Sequence, residues 1–180
     1  ALSSGEGTAQ LAWIEPDGTN QKMIGHERLG IQNVVIGPDG NHFAAQVVSR
    51  TGAEIWVIDA ERDVMTRLTR GGLDATGPVW SPDGRTVAFS SEVSGNASVY
   101  LQPADANKSP EIFFNQPRRD FTVCSWSADG RSMLLESTAG AGPDRAEIWL
   151  LDVATKKAQS ILSDPSASLR SPVISPDGNW

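Results

Sequence analysis

The residues able to do chemistry are few and scattered. Two histidines, His26 and His42, one cysteine, Cys124, and an aspartate that recurs at Asp39, Asp83, Asp129 and Asp177 are the candidates for a catalytic or metal-binding constellation. A zinc centre needs three or four closely spaced imidazole, thiolate or carboxylate ligands, which one cysteine and two separated histidines do not assemble. His42 follows a turn at the start of an apolar run, and His26 reads as part of a solvated connector. There is no G-x-S-x-G elbow, no glycine-rich phosphate loop ending in Lys and Ser/Thr, and no kinase catalytic-loop or Asp-Phe-Gly element. Each repeated aspartate stands alone in its turn, without the clustered oxygens of a calcium loop, so turn formation accounts for all four. Cys124, with no partner for an internal disulfide, reads as a small buried apolar residue. The expectation is no catalytic residue, no metal and no cofactor.

Arginine is the chemistry that remains. Arg28, Arg50, Arg70, Arg118, Arg119, Arg145 and Arg170, seven of the eleven arginines, fall in the set of connectors Gly25–Gly30, Ser49–Ala53, Thr69–Gly77, Ser91–Ala97, Asn115–Phe121, Thr138–Ala146 and Ser163–Ser171. Glu27, Asp74, Glu92, Asp120, Asp144 and Asp164 stand against them in the same set of loops. A guanidinium fork suits carboxylate or peptide recognition, although ordinary solvated loop charges give a similar tally. Arg28, Arg50, Arg70, Arg118, Arg119 and Arg170 are the candidate partner-binding residues.

The elements that position these loops repeat. "WSPDGRTVAFSS" (Trp80–Ser91) has relatives in "IGPDGNHFAAQVVS" from Ile36, "WSADGRSMLLES" from Trp126 and "ISPDGNW" from Ile174, and their turn glycines Gly40, Gly84, Gly130 and Gly178 lie 44, 46 and 48 residues apart. A period in that range marks a repeat architecture. In each copy proline presets φ, aspartate bonds its own backbone and glycine takes positive φ, so Pro-Asp-Gly is a tight reversal between two strands. A third strand follows, "EIWVID" at Glu54, "VYLQ" at Val99 and "EIWLLD" at Glu147, and then a short fourth, Val64–Leu68, "EIFF" at Glu111 and Ala158–Leu162. No capped stretch holds a sustained 3.6-residue period, so helix content is expected to be very low.

A four-stranded unit of about 45 residues cannot bury both faces alone, but stacking such units around an axis does. The expected fold is all-β: a β-propeller of four-stranded antiparallel blades, with Trp13, Trp56, Trp80, Trp126 and Trp149 on strands and packed between blades. The boundaries fall at residues 1–29 for a partial blade, 30–73, 74–119 and 120–167 for whole blades, and 168–180 for the start of another. The formal charge of −7 argues against a nucleic-acid partner. No apolar run reaches the roughly 20 residues that span a bilayer, and "ALSSGEGTAQ" lacks the features of a signal peptide.

"PVWSPDGRTVAFSS", a Ser/Gly/Asn turn and then an "IW" or "VY" strand resemble the TolB-type, WD-like β-propeller repeat over nearly the whole chain. The opening "AWIEPDGTNQKMI" is similar to the strand pair that begins the C-terminal propeller of bacterial eukaryotic-type serine/threonine kinases. Gly37 in place of Ser, Ala128 in place of Pro, and Ile36 and Ile174 in place of Trp depart from the pattern without touching the Asp-Gly pair. The resemblance implies a non-catalytic binding or sensing module at the periplasm or extracytoplasmic cell surface, with a protein, peptide or small ligand on the loop face. Its alternative is a sensor or gating propeller of a larger enzyme, either a receptor-type serine/threonine kinase or a prolyl-oligopeptidase-like serine peptidase. Because the repeat is cut at both ends, the segment reads as an open arc of a larger ring. Expressed alone, it is expected to self-associate or to be partly unfolded, and extension by two or three blades to give a cooperative monomer. A monodisperse monomer of 180 residues with one sharp unfolding transition in sedimentation and calorimetry would instead mean a closed four-bladed ring.

Overall fold

A computed structural model describes residues 8–19, 21–70, 72–92, 95–139, 145–175 and 177–178, with the side chains of residues 8, 9, 25–29 and 139 outside that set. The strands are β1 (Thr8–Ile14), β2 (Gln21–Leu29), β3 (Ile31–Ile36), β4 (His42–Ser49), β5 (Gly52–Asp59), β6 (Val64–Arg67) and β7 (Ala75–Trp80), then β8 (Thr86–Glu92), β9 (Ala97–Pro103), β10 (Glu111–Phe114), β11 (Arg119–Trp126), β12 (Ser132–Ala139), β13 (Ala146–Asp152) and β14 (Ala158–Leu162). Among the described residues there is no helix. Three antiparallel sheets run in chain order, β3-β4-β5-β6, β7-β8-β9-β10 and β11-β12-β13-β14, and β1-β2 form a separate pair. This is the all-β, four-stranded blade architecture.

The Pro-Asp-Gly turns are built by the chemistry expected of them. In the second copy the Gly84 N–H donates to the Ser81 carbonyl at 2.9 Å, the Ser81 hydroxyl donates to Asp83 Oδ1 at 2.6 Å, and that same oxygen accepts the Arg85 N–H at 3.1 Å. The Ser127–Asp129–Arg131 copy repeats each bond within 0.1 Å. Gly37 leaves the first copy without the serine, and Asp39 takes over: its Oδ1 accepts both the Asn41 and His42 N–H groups, at 2.9 and 3.0 Å.

Strand alternation divides each of the first two four-stranded sheets between two cores. Along β4, Phe43, Ala45 and Val47 join Ile24, Ile31 and Ile58 on the side of β2, while Ala44 faces the next sheet. Along β8, Val87 and Phe89 face back toward Ala44, Ile55, Val57 and Leu68, and Ala88 faces forward into a cluster with Phe121, Val123, Met133, Leu135 and Leu151. In β4 and β8 the larger side chains thus point to the preceding sheet and an alanine to the following one. The faces interlock because bulk on one side meets a small residue on the other. Period-2 patterning alone therefore sets which sheet each residue binds.

The tryptophans divide. Trp80 is 7% exposed, sits in the cluster between the first two four-stranded sheets and donates its indole N–H to the Val35 carbonyl at 3.2 Å. Trp56 and Trp149 are half-buried and donate to the glutamate two residues earlier, Glu54 and Glu147, at 3.2 and 2.8 Å. Trp13 departs from the expected burial: it meets Phe43 edge-on at 6.2 Å but remains 43% exposed.

Trp80→Ala removes a buried ring and leaves the Val35 carbonyl without its donor, so it is expected to lower unfolding free energy by about 3–5 kcal/mol. Denaturant titration checks this; a loss below about 1 kcal/mol would mean that this packing contributes little to the fold.

Candidate functional site

Hairpin order places the turns that join second to third strands, and the connections that join one sheet to the next, at one end of the sheets; the Pro-Asp-Gly turns lie at the other. The first end carries the arginines, and its loops are tied down by side chains that bond across sheet boundaries. Asp74 Oδ1 accepts the N–H of Ala53, near the start of β5 in the preceding sheet, at 2.8 Å. Asp120 Oδ1 accepts the N–H of Ala97, which opens β9, at 2.7 Å, and Ser168 Oγ accepts that of Ala146, which opens β13, at 3.2 Å. These three acceptors stand ten residues before Gly84, Gly130 and Gly178, and Gly30 holds the same place before Gly40.

A second set runs the other way. Ser90 Oγ accepts the Val123 N–H at 2.8 Å, Gln46 Oε1 the Gly77 N–H at 3.4 Å, and Glu136 Oε2 the Ser171 N–H at 3.4 Å. These acceptors follow the turn glycines by six residues, and their donors precede the next turn glycine by seven. Sequence reasoning missed both sets. The signal was present as a fixed offset from the turn, but the residue types change from copy to copy.

The six arginines proposed from sequence separate by environment. Arg119 was assigned to a loop, yet it opens β11, because its backbone pairs with Ala139. Its guanidinium bonds Glu147 at 3.0 Å and lies 4.6 Å from the centre of the Trp149 ring. Arg170 bonds Glu136 at 2.9 Å across the boundary beside Ser171. Arg67, not proposed, pairs with Glu54 at 2.6 Å in the same manner as Arg119 with Glu147. Gly25–Gly30 was also expected to be a loop; β2 continues to Leu29, which places Arg28 and His26 on a strand, with their side chains outside the described residues.

Arg50, Arg70 and Arg118 are different. All three are exposed and none has an ion pair or side-chain hydrogen bond among the described residues, a state shared by Arg145. Each of the three sits beside a fixed anchor. Arg50 lies in the turn closed by Ser49 Oγ, which accepts the Thr51 N–H at 3.2 Å and donates to the Gly52 carbonyl at 3.1 Å. Arg70 follows Thr69, whose buried hydroxyl accepts the Ile55 N–H at 2.9 Å. Arg118 has φ 63°, a left-handed conformation that disfavours an arginine, in a turn closed by the Gln116–Arg119 bridge.

The opposite end has other chemistry. His42 Nδ1 lies 2.6 Å from Asp39 Oδ2, and the second ring nitrogen lies 3.7 Å from Asp59 Oδ2, which also accepts from Arg62 at 3.1 Å. Hydrogen bonds, first from the His42 N–H, hold the Asp39 carboxyl well below its ordinary range, at about 2. Ser81 and Ser127 lower Asp83 and Asp129 in the same direction through their hydroxyls. Among the described residues no three His, Cys, Asp or Glu groups are placed to hold a metal ion. Toward the inner strands, Pro38, Pro78, Pro82, Trp80, Trp126 and Ile174 line a groove of about 560 Å³. Cys124 borders it, and burial pushes its thiol up to about 11. A thiol so shifted is protonated at neutral pH and is a poor nucleophile.

A family model described as the TolB beta propeller domain matches residues 19–180. The chain belongs to this family. The Tol-Pal system protein TolB of Anaeromyxobacter dehalogenans (strain 2CP-C) is 34% identical over 107 residues, covering 59% of this chain and 24% of that protein. The uncharacterized peptidase YuxL of Bacillus subtilis (strain 168) is 33% identical over 116 residues, covering 58% of this chain and 17% of that protein. The crystal structure of TolB from Acinetobacter baumannii superposes with a TM-score of 0.73 at 19% identity, over 94% of this chain and 41% of that one, a likeness of fold. The chain thus spans about a quarter or less of these two curated relatives. As a TolB-type propeller, it carries on one end a set of exposed, unpaired arginines on hydrogen-bonded turns, and on the other a row of hydrogen-bonded aspartates.

Asp39 is expected to titrate with a midpoint of about 2 in carboxyl-detected NMR. Its folded value lies below the unfolded one of about 3.9, so its contribution to stability is complete above that pH and is lost as pH falls toward the folded value. Asp39→Asn should flatten the acid limb of the stability profile over that window; an unchanged limb would remove the turn carboxylate as its source.

Proposed function

We propose that this propeller is a non-catalytic binding module whose loop end, carrying Arg50, Arg70 and Arg118, holds a protein or peptide partner. The observation that carries this reading is the contrast among the arginines. Arg67, Arg119 and Arg170 are paired with Glu54, Glu147 and Glu136, whereas Arg50, Arg70 and Arg118 are exposed, unpaired and mounted on anchored turns. A turn backbone held in place before a partner arrives loses less freedom on binding it. Arg170 borders the same surface through a guanidinium engaged with Glu136. Membership of the TolB propeller family supports a binding role and a place in the periplasm or on the extracytoplasmic surface. Among the described residues no helix is long and apolar enough to cross a membrane.

The second reading makes the propeller the gating or sensing part of a larger enzyme. Likeness to a protein named as a peptidase supports it, with this chain matching 17% of that protein's length. The kinase version of this reading rests on the strand pair around Trp13 and the Glu15–Gly18 turn. In either version the chemistry belongs to residues elsewhere and the loop end remains the contact surface.

A photo-crosslinking amino acid placed in the full chain at Arg50, Arg70 or Arg118, and in parallel at Asp83, Asp129 or Lys156 on the other end, tests the assignment in cells. Discrete protein adducts from the loop-end positions and none from the opposite end are expected. Adducts confined to the Asp83, Asp129 and Lys156 positions would overturn it.

A further inference from the structure

The carboxylates at the loop end are occupied by the fold, while the guanidinium groups beside them are not. Asp74 and Asp120 bond the Ala53 and Ala97 N–H groups, and Asp120 also accepts from Asn96 Nδ2 at 3.4 Å. Asp164 Oδ1 accepts the N–H and hydroxyl of Ser166, at 2.7 and 2.6 Å. Asp74 and Asp164 stay exposed while so bonded, the side chains of Glu27 and Asp144 are outside the described residues, and Glu92 is the exposed carboxylate left without a side-chain partner among the described ones. Against it stand Arg50, Arg70, Arg118 and Arg145, exposed and unpaired. A nearly even count of seven arginines and six acids in these loops therefore conceals an uneven set of side-chain partners. The acids serve backbone donors at the blade boundaries, and the bases are presented to solvent.

From this asymmetry we infer that the partner recognised at the loop end is an acidic polypeptide segment, read through its side-chain carboxylates by Arg50, Arg70 and Arg118. The inference rests on the loop-end assignment above and narrows it to one chemistry. Guanidinium groups accept carboxylates in a bidentate fork, and three forks on separate anchored turns favour a partner that spaces its charges along an extended chain. The chain as a whole carries a formal charge of −7, so general attraction does not draw an anion to it. Binding of an acidic peptide must then be local to the guanidinium set, which makes it separable from bulk electrostatics. Arg118 adds a second argument: a left-handed φ of 63° costs stability at an exposed turn where asparagine or glycine would fit with less strain. At this turn the exposed, unpaired side chain is the part of the residue left free to make a contact.

The test uses the full chain and fluorescein-labelled octaglutamate followed by anisotropy, with octaglutamine and an eight-nucleotide oligothymidylate in parallel. Octaglutamate is expected to bind in a salt-weakened manner, more tightly than either comparator. Combined Arg50→Gln, Arg70→Gln and Arg118→Gln should weaken that binding by about tenfold, the sum of three exposed ion pairs, with an unchanged thermal midpoint. Combined Arg85→Gln and Arg131→Gln on the opposite end should leave it intact. Each single loop-end replacement should weaken binding by about twofold, which keeps the test valid if the triple variant is unstable. Equal binding of octaglutamine, equal binding of the oligothymidylate, or full octaglutamate binding by the folded triple variant would each overturn the inference. Loop-end crosslinks in cells that persist alongside such a result would leave the binding-face assignment standing and remove the acidic partner alone.

Discussion

A sheet with two apolar faces must be covered on both, and the junction between successive sheets is the interaction on which the rest of this molecule depends. One junction gathers nine buried side chains, from Ala44 and Ile55 on one sheet to Trp80, Phe89 and Tyr100 on the next. At about 1.5–3 kcal/mol for each large apolar side chain, this exceeds the combined contribution of the two side-chain-to-backbone bonds beside it, about 1.5–3 kcal/mol for one to a charged acceptor and less for a neutral one. Apolar packing thus supplies the bulk of the stabilisation. The bonds from Asp74 or Asp120 to the preceding sheet, and from Ser90 to the following one, contribute something packing does not: direction and register.

That division explains the contrast between the two ends. At the Pro-Asp-Gly end, aspartate satisfies donors within its own turn, and the hairpin is complete without its neighbour. At the loop end, satisfaction is deferred to the next sheet, so each connection is fixed by the blade it leads into. Loops bonded in this way are rigid platforms, and side chains they do not consume, such as Arg50 and Arg70, are displayed from a held backbone. The paired arginines show the alternative fate. Arg119 lies over Trp149 and against Glu147, so its charge is balanced where it helps to close the outer part of its own sheet.

The fold was legible because it is carried by repetition and short-range chemistry. Turn glycines at a drifting period, proline and aspartate beside them, and alternating apolar strands set β8, β10 and β14 within a residue or two. Strands that reach further than expected, β2 to Leu29 and β11 from Arg119, do so on polar sequence, where pairing with a neighbour overrides local composition. The site was less legible for a similar reason. Composition can count arginines in loops, but whether one is free depends on which carboxylate lies across a strand, as Glu147 does for Arg119 at a separation of 28 residues. Trp13 shows the same limit: a ring on a strand is buried only if its neighbours cover it, and here Phe43 covers one edge.

The boundary acceptors also bear on how such a chain can change over generations. Their donors and partners keep fixed offsets from the turn glycine, with Asp74, Asp120 and Ser168 all ten residues ahead of it. Shifting the chain by one whole repeat therefore brings each of these three acceptors to an equivalent backbone donor. Removal of a partial repeat would strand a buried acceptor on one side and an N–H on the other. Hydrogen-bond arithmetic thus makes one whole blade, and not a strand or a hairpin, the unit in which these boundaries are built.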